Sequence, residues 1–126
     1  MTNLEVIAKV RTHLLTQKDR AYEGGQCRYR TTSGLRCAIG CLIPDEAYEP
    51  DFEDTGLGPI GNYSKTGIEA QRAQQAILTA AGLTQAQQAL GYKLQCLHDN
   101  EALADWDRLL TILAQEEAMK SDMRYS

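Results

Sequence analysis

The chain has 126 residues and a mass of 14.0 kDa, with 43% hydrophobic and 24% charged residues. That is one domain's worth of core, and it excludes collagen-like, disordered or low-complexity descriptions of the whole. A formal charge of -4 and a pI near 5.1 argue against a DNA-coating role. No run reaches the ~18 apolar residues of a membrane span and no secretory leader opens the chain, so the expectation is a soluble protein that stays in the cytosol.

Thr2-Asn3-Leu4-Glu5 has the form of a capping box and opens a helix. Leu4, Ile7, Val10, Leu14 and Leu15 form its apolar stripe, which stops near Lys18; Lys18 and Arg20 suit the negative end of a helix. Glu23-Gly24-Gly25 marks a turn. Cys27-Arg28-Tyr29-Arg30 alternates with period two, Thr31 to Gly34 is a turn cluster, and Leu35-Arg36-Cys37 can return antiparallel. This predicts a small hairpin over residues 27–37, with Cys27, Tyr29, Leu35 and Cys37 inward and Arg28, Arg30 and Arg36 outward. A lone hairpin is marginal, so it must lie on helices.

Cys37 to Ile43 is almost wholly apolar and reads as a buried helical turn or two, ended by Pro44. Six acids follow without a base: Asp45, Glu46, Glu49, Asp51, Glu53 and Asp54. Pro and Gly make 44–67 a long acidic loop region. Ile68 to Ala81 is the next helix, stopped by Gly82. Thr84 to Gln87 is a second capping box, opening a helix with Ala86, Leu90, Leu94 and Leu97 inward. Asn100 can cap the last helix, where Leu103, Trp106, Leu110 and Leu113 are inward and Leu109 widens the stripe; the tail 121–126 is expected to fray. The expected fold is mainly α: a single globular domain, 1–126, of about four packed helices, one small antiparallel hairpin and the long acidic loop.

Four cysteines, 27, 37, 41 and 96, are expected to be reduced thiols in a cytosolic chain. A Cys3His zinc site from Cys27, Cys37, Cys41 and His98 is geometrically conceivable, because Cys37 and Cys41 share one helical face and Cys27 lies opposite Cys37 in the hairpin. There is no Cys-x-x-Cys, however, and small buried side chains explain the same residues. A thiol activated by His98 and oriented by Asp99 would make a cysteine enzyme, but adjacent helical residues point about 100° apart, which leaves Asp99 poorly placed for its neighbour. Neither a nucleophile elbow nor a phosphate-cradling loop is present, and the reading leans away from an enzyme.

Charge is polarised: residues 1–44 carry seven bases and three acids, residues 45–126 six bases and fourteen acids. Arg28, Arg30 and Arg36 could grip phosphate or carboxylate, as a sponge for an anionic ligand or as a partner contact. The competing reading is that the acidic loop folds back onto them. Alternatively Asp45, Glu46, Glu49, Asp51, Glu53 and Asp54, interleaved with Tyr48, Phe52 and Tyr63, form a contact surface resembling a nucleic-acid backbone to a basic partner. A solvated loop is the plainer alternative.

Cys27-Arg28-Tyr29-Arg30, Gly34 through Asp45 with Tyr48, and then Leu94-Gln95, His98-Asp99 and Trp106 resemble a family of short uncharacterised proteins of tailed phages and prophages. The likeness is good over 27–52, looser over the first helix and over 94–113, and does not extend to 55–89. It implies a phage accessory protein made in the bacterial cytosol, of the kind that docks on a host protein and often inhibits host machinery, including defence systems. No cofactor, catalytic residue or direct nucleic-acid binding is implied.

Overall fold

The computed structural model describes residues 1–55, 57 and 67–124, except the side chains of Asp54 and of 121–124. The architecture is mainly α. Helix α1 spans Asn3–Gln17. Thr2 Oγ1 accepts the Glu5 N–H and Glu5 Oε1 accepts the Thr2 N–H, both at 3.1 Å. Lys18 closes the helix in the left-handed conformation (φ 56°), its N–H on Leu14 O. Val6, Ile7, Val10 and Leu14 are buried, while Leu4 is exposed. The buried arc is turned away from Leu4 because the segment after Cys37 packs on the Val6–Val10 side. There His13 Nε2 lies 2.9 Å from Arg36 O, and Gln17 bonds both the N–H and the carbonyl of Arg36.

The strand ladder lies earlier than the sequence suggests. Strands β1 (Tyr22–Glu23) and β2 (Gln26–Cys27) pair antiparallel, Tyr22 against Cys27. Gly24 (φ 64°) and Gly25 (φ 84°) supply the two consecutive left-handed residues that a tight two-residue hairpin turn requires. The hairpin expected over 27–37 is only a looped return. It has one bridge, Arg30 with Arg36, and two bonds, Thr31 N–H to Leu35 O (2.9 Å) and Cys37 N–H to Tyr29 O (3.2 Å). Thr31-Thr32-Ser33-Gly34 closes as a turn on the Gly34 N–H to Thr31 O bond (3.1 Å) with Gly34 left-handed, but no named strand extends from it. Tyr29 and Cys37 do point inward. Gly40 is required by close approach: a Cβ on it would lie 1.9 Å from Tyr29 O.

The apolar stretch ends in a 3-10 turn, Gly40–Leu42, and the acidic segment winds into two more, Asp45–Ala47 and Pro50–Asp54. Over 44–54 the chain is therefore folded rather than an open loop. Expectations about residues 58–66, including Pro59 and Tyr63, fall outside the described residues.

Helix α2 is Gly67–Ala80, with Gly82 just beyond it. Helix α3, Gln88–Asn100, follows a 3-10 turn at Gln85–Gln87. That tighter turn shifts the helical phase. Ala86 is exposed and Gln87 is buried in its place, its Oε1 accepting the Thr84 N–H (3.0 Å) and its Nε2 donating to Met1 O (2.8 Å) and Asn3 Oδ1 (3.0 Å). Leu90, Leu94 and Leu97 are buried as the period predicts.

Helix α4, Trp106–Arg124, follows a 3-10 turn at Leu103–Asp105. Asn100 ends α3 rather than capping α4, and Leu103 is exposed because it lies in that turn and not in the helical stripe. Trp106 and Leu110 are buried; Leu109 and Leu113 pack beside them half-buried. Rather than fraying from Ser121, the helix continues through Arg124. α4 packs chiefly on α1 and touches α3 sparingly. It runs antiparallel to α3: His98 meets Trp106 at one end, while at the other Asn3 bridges Gln87 and Glu117. No helix among the described residues is long and apolar enough to cross a membrane.

Candidate functional site

His98 is wholly buried in α3. Its Nε2 lies 3.0 Å from the Ala21 amide nitrogen, whose N–H donates to it. An Nε2 that accepts leaves Nδ1 to carry the proton, and Nδ1 donates to Asp99 Oδ1 at 2.7 Å. The ring stacks on Trp106, centroids 5.6 Å apart. Arg20 closes the cluster: its Nε donates to His98 O (2.7 Å), its Nη2 to Glu101 O, and its guanidinium lies over Trp106. Arg20 thus caps the negative end of α3 and not that of its neighbour α1. Asp99 orients His98 after all. The hundred-degree separation of adjacent side chains is overcome because Asp99 bends back to Nδ1.

Cys27 joins this cluster, its sulfur within 4.8 Å of the His98 and Asp99 donor atoms. Burial, followed by the neighbouring Asp99 carboxylate, pushes the Cys27 thiol up to about 11 despite the opposing Arg20 charge. The other two sulfurs of the conceivable zinc site go elsewhere. Cys37 donates to Gln95 Oε1 and accepts the Gly40 N–H (both 3.2 Å), and Cys41 donates to Ala38 O (3.0 Å). The remaining donor set is poorly matched to a metal. Coordination through Nε2 would orphan the Ala21 N–H. Coordination through Nδ1 would force the ring proton onto Nε2, facing that same N–H. Catalysis fares no better. Burial pushes Cys37 and Cys41 up to about 12, so neither thiol supplies thiolate near neutrality, and no ring nitrogen of His98 is left to act as a base.

The second assembly is at the surface. Glu53 reaches under its own segment: Oε1 accepts the Tyr29 N–H (2.9 Å), and Oε2 accepts the Arg30 N–H (3.1 Å) and the Tyr48 hydroxyl. Burial and the Glu53 contact push Tyr48 up to about 12, which keeps its hydroxyl a donor. Arg30 points inward rather than outward: its guanidinium lies 4.5 Å from the Tyr48 ring centroid, with Nη2 on Ile43 O (2.7 Å) and Nη1 on Asp45 (2.9 Å). Arg36 shares Asp45 at 3.0 Å, and Arg28 turns to Glu23. All three arginines therefore already face a carboxylate of this chain, Arg30 and Arg36 sharing Asp45. Asp45, Glu46, Glu49 and Asp51 remain on the outside, Asp45 with 77% of its side chain exposed, while Phe52 is buried edge-on to Tyr48.

A groove of about 940 Å³ between α2 and α3 is lined by glutamines and Arg72 together with Leu57, Ile68 and Tyr92, and among the described residues no His, Cys or acid lines it. Ala21, which holds His98, has no mark in the sequence, while Arg20 reads there only as a base at the end of α1 and Gln95, which holds Cys37, only as part of the family likeness. No local signal marks these contacts, because the partners lie far along the chain. No family model, no curated protein and no solved structure matches the chain.

Proposed function

We propose that this chain is a non-enzymatic accessory protein of phage or prophage origin that acts in the bacterial cytoplasm by binding and modulating a host protein, as an inhibitor of a defence or nucleic-acid-handling complex. The observation that carries this reading is the acidic segment. Glu53 pins it from below to two backbone amides and Tyr48, while Asp45, Glu46, Glu49 and Asp51 face solvent. A contact surface held in place before binding loses less entropy on docking than a mobile loop. Its carboxylates suit a basic protein surface of the kind that grips a nucleic-acid backbone, and would repel nucleic acid itself. The half-exposed Arg36 at its edge supplies a register contact. Support for the absence of catalysis is the inward commitment of His98 and of Cys27, Cys37 and Cys41.

Immobilised wild-type chain and a Glu46→Lys/Glu49→Lys variant test this against bacterial lysate, with bound proteins identified by mass spectrometry and then titrated in purified form. The expected outcome is a basic protein retained by the wild type, lost by the variant and weakened by added salt. Retention of nothing specific, equal retention by both, or substrate turnover by the purified chain overturns the proposal.

A further inference from the structure

A shallow groove of about 390 Å³ runs between α3 and α4, apart from the surface assembly and bordering the hub at Glu101, whose carbonyl Arg20 holds. Its floor and banks are apolar: Leu97 and Cys96 on α3, Leu109, Ile112 and Leu113 on α4. Ile112 is 40% exposed, and Leu109 and Leu113 are only half-buried, because α4 leans on α1 rather than α3. Two exposed charges on the α3 side mark its ends. Lys93 is at one end and Glu101 at the other, eight residues or about 12 Å apart along the helix. Neither forms an ion pair among the described residues.

This pattern is self-complementary. A two-fold axis crossing α3 near Leu97, midway between the two charges, reverses the helix and sets Lys93 against Glu101 of the second copy, and Glu101 against its Lys93. The same operation lays Ile112 and Leu113 of each copy over the apolar strip of the other. Closed two-fold contacts need such a patch, in which one surface serves both partners. A partner of unrelated sequence would not require the charges at the two ends to be opposite. Glu116 also lines the groove, from the α4 bank. We infer that the α3–α4 groove is occupied by a second copy of this chain, forming an isologous dimer with Cys96 beside the axis.

The full chain tests this by sedimentation across a concentration series, expected to approach twice the chain mass of 14.0 kDa. Ile112→Glu, at an exposed position, is expected to keep the helical circular-dichroism spectrum and return the monomer mass. Lys93→Glu should weaken the dimer at least tenfold at low salt, and adding Glu101→Lys should restore it. A short bismaleimide should link two wild-type chains and fail to link Cys96→Ser. A monomer at every concentration overturns the inference. So does a dimer indifferent to Ile112→Glu, or a charge swap that does not rescue. Should Ile112→Glu unfold, the Lys93/Glu101 swap and the Cys96 link decide alone.

Discussion

The two polar assemblies of this protein are built by one device and put to opposite ends. In the interior, His98 takes the Ala21 amide on one nitrogen and gives its proton to Asp99 on the other. At the surface, Glu53 takes the amides of Tyr29 and Arg30. Each is a single titratable side chain holding backbone that would otherwise be unpaired. The interior hub ties the start of the β1–β2 hairpin to the end of α3 and, through Arg20 and Trp106, to α4. Ala21, His98 and Trp106 are covered, while Asp99 keeps 29% of its side chain exposed. The surface anchor secures one short segment and leaves its outer carboxylates wet. The comparison teaches that residues which look reactive in a sequence are here spent on the backbone, and that the groups left in solvent are the ones held up by them.

Breaking the hub should have the largest effect. His98→Ala removes a fully buried ring, leaves a hole under Trp106 and orphans the Ala21 N–H. The expected loss is about 4 kcal/mol of global stability, read as a lower urea midpoint with an unchanged slope. Breaking the anchor should cost less and act locally. Glu53→Gln keeps the shape but turns one accepting oxygen into a donor facing an N–H and the Tyr48 hydroxyl. A loss of about 2 kcal/mol is expected, with protease cuts appearing within 45–54 while α1 and α4 stay protected. Global unfolding by Glu53→Gln, or a merely local effect of His98→Ala, would reverse the roles assigned to the two assemblies.

What was legible in the sequence was what is local. The capping boxes at Thr2/Glu5 and Thr84/Gln87 and the Leu90–Leu94–Leu97 row depend on three- and four-residue spacings, and all are present. The return of the acidic segment onto Arg30 and Arg36 was one of two open readings, since opposite charges close in sequence leave it undecided which faces solvent. The hub was not legible: Arg20 and Ala21 reach His98 across some eighty residues, and no spacing rule spans that distance. The ladder was misplaced for a different reason. The alternation in Cys27–Arg30 imitates a strand, yet the paired Gly24-Gly25, whose two left-handed residues close the two-residue hairpin, sit just before it. Asp99 was discounted on ideal helical directions, which a short side chain near a helix end need not obey.

The smallest effect sharpens the contrast through pH. In the unfolded chain the thiols ionise near their ordinary 9.0, whereas in the folded chain burial holds the Cys37 and Cys41 protons to about 12. Between those values the unfolded chain binds fewer protons, so stability falls as pH rises. The contribution is fully present below pH 9 and is lost on the way to 12, by about 1.4 kcal/mol per pH unit for the fully buried Cys37 and less for the partly buried Cys41. Urea midpoints measured from pH 8 to 11 should decline for the wild type and more gently for Cys37→Ala. Glu53→Gln should leave that slope unaltered below the usual tyrosine range and soften it only above, where Tyr48 loses the Glu53 contact that raises it. Equal slopes in the wild type and Cys37→Ala would mean that Cys37 is open to water in the native state, and with it the interior that separates the hub from the surface anchor.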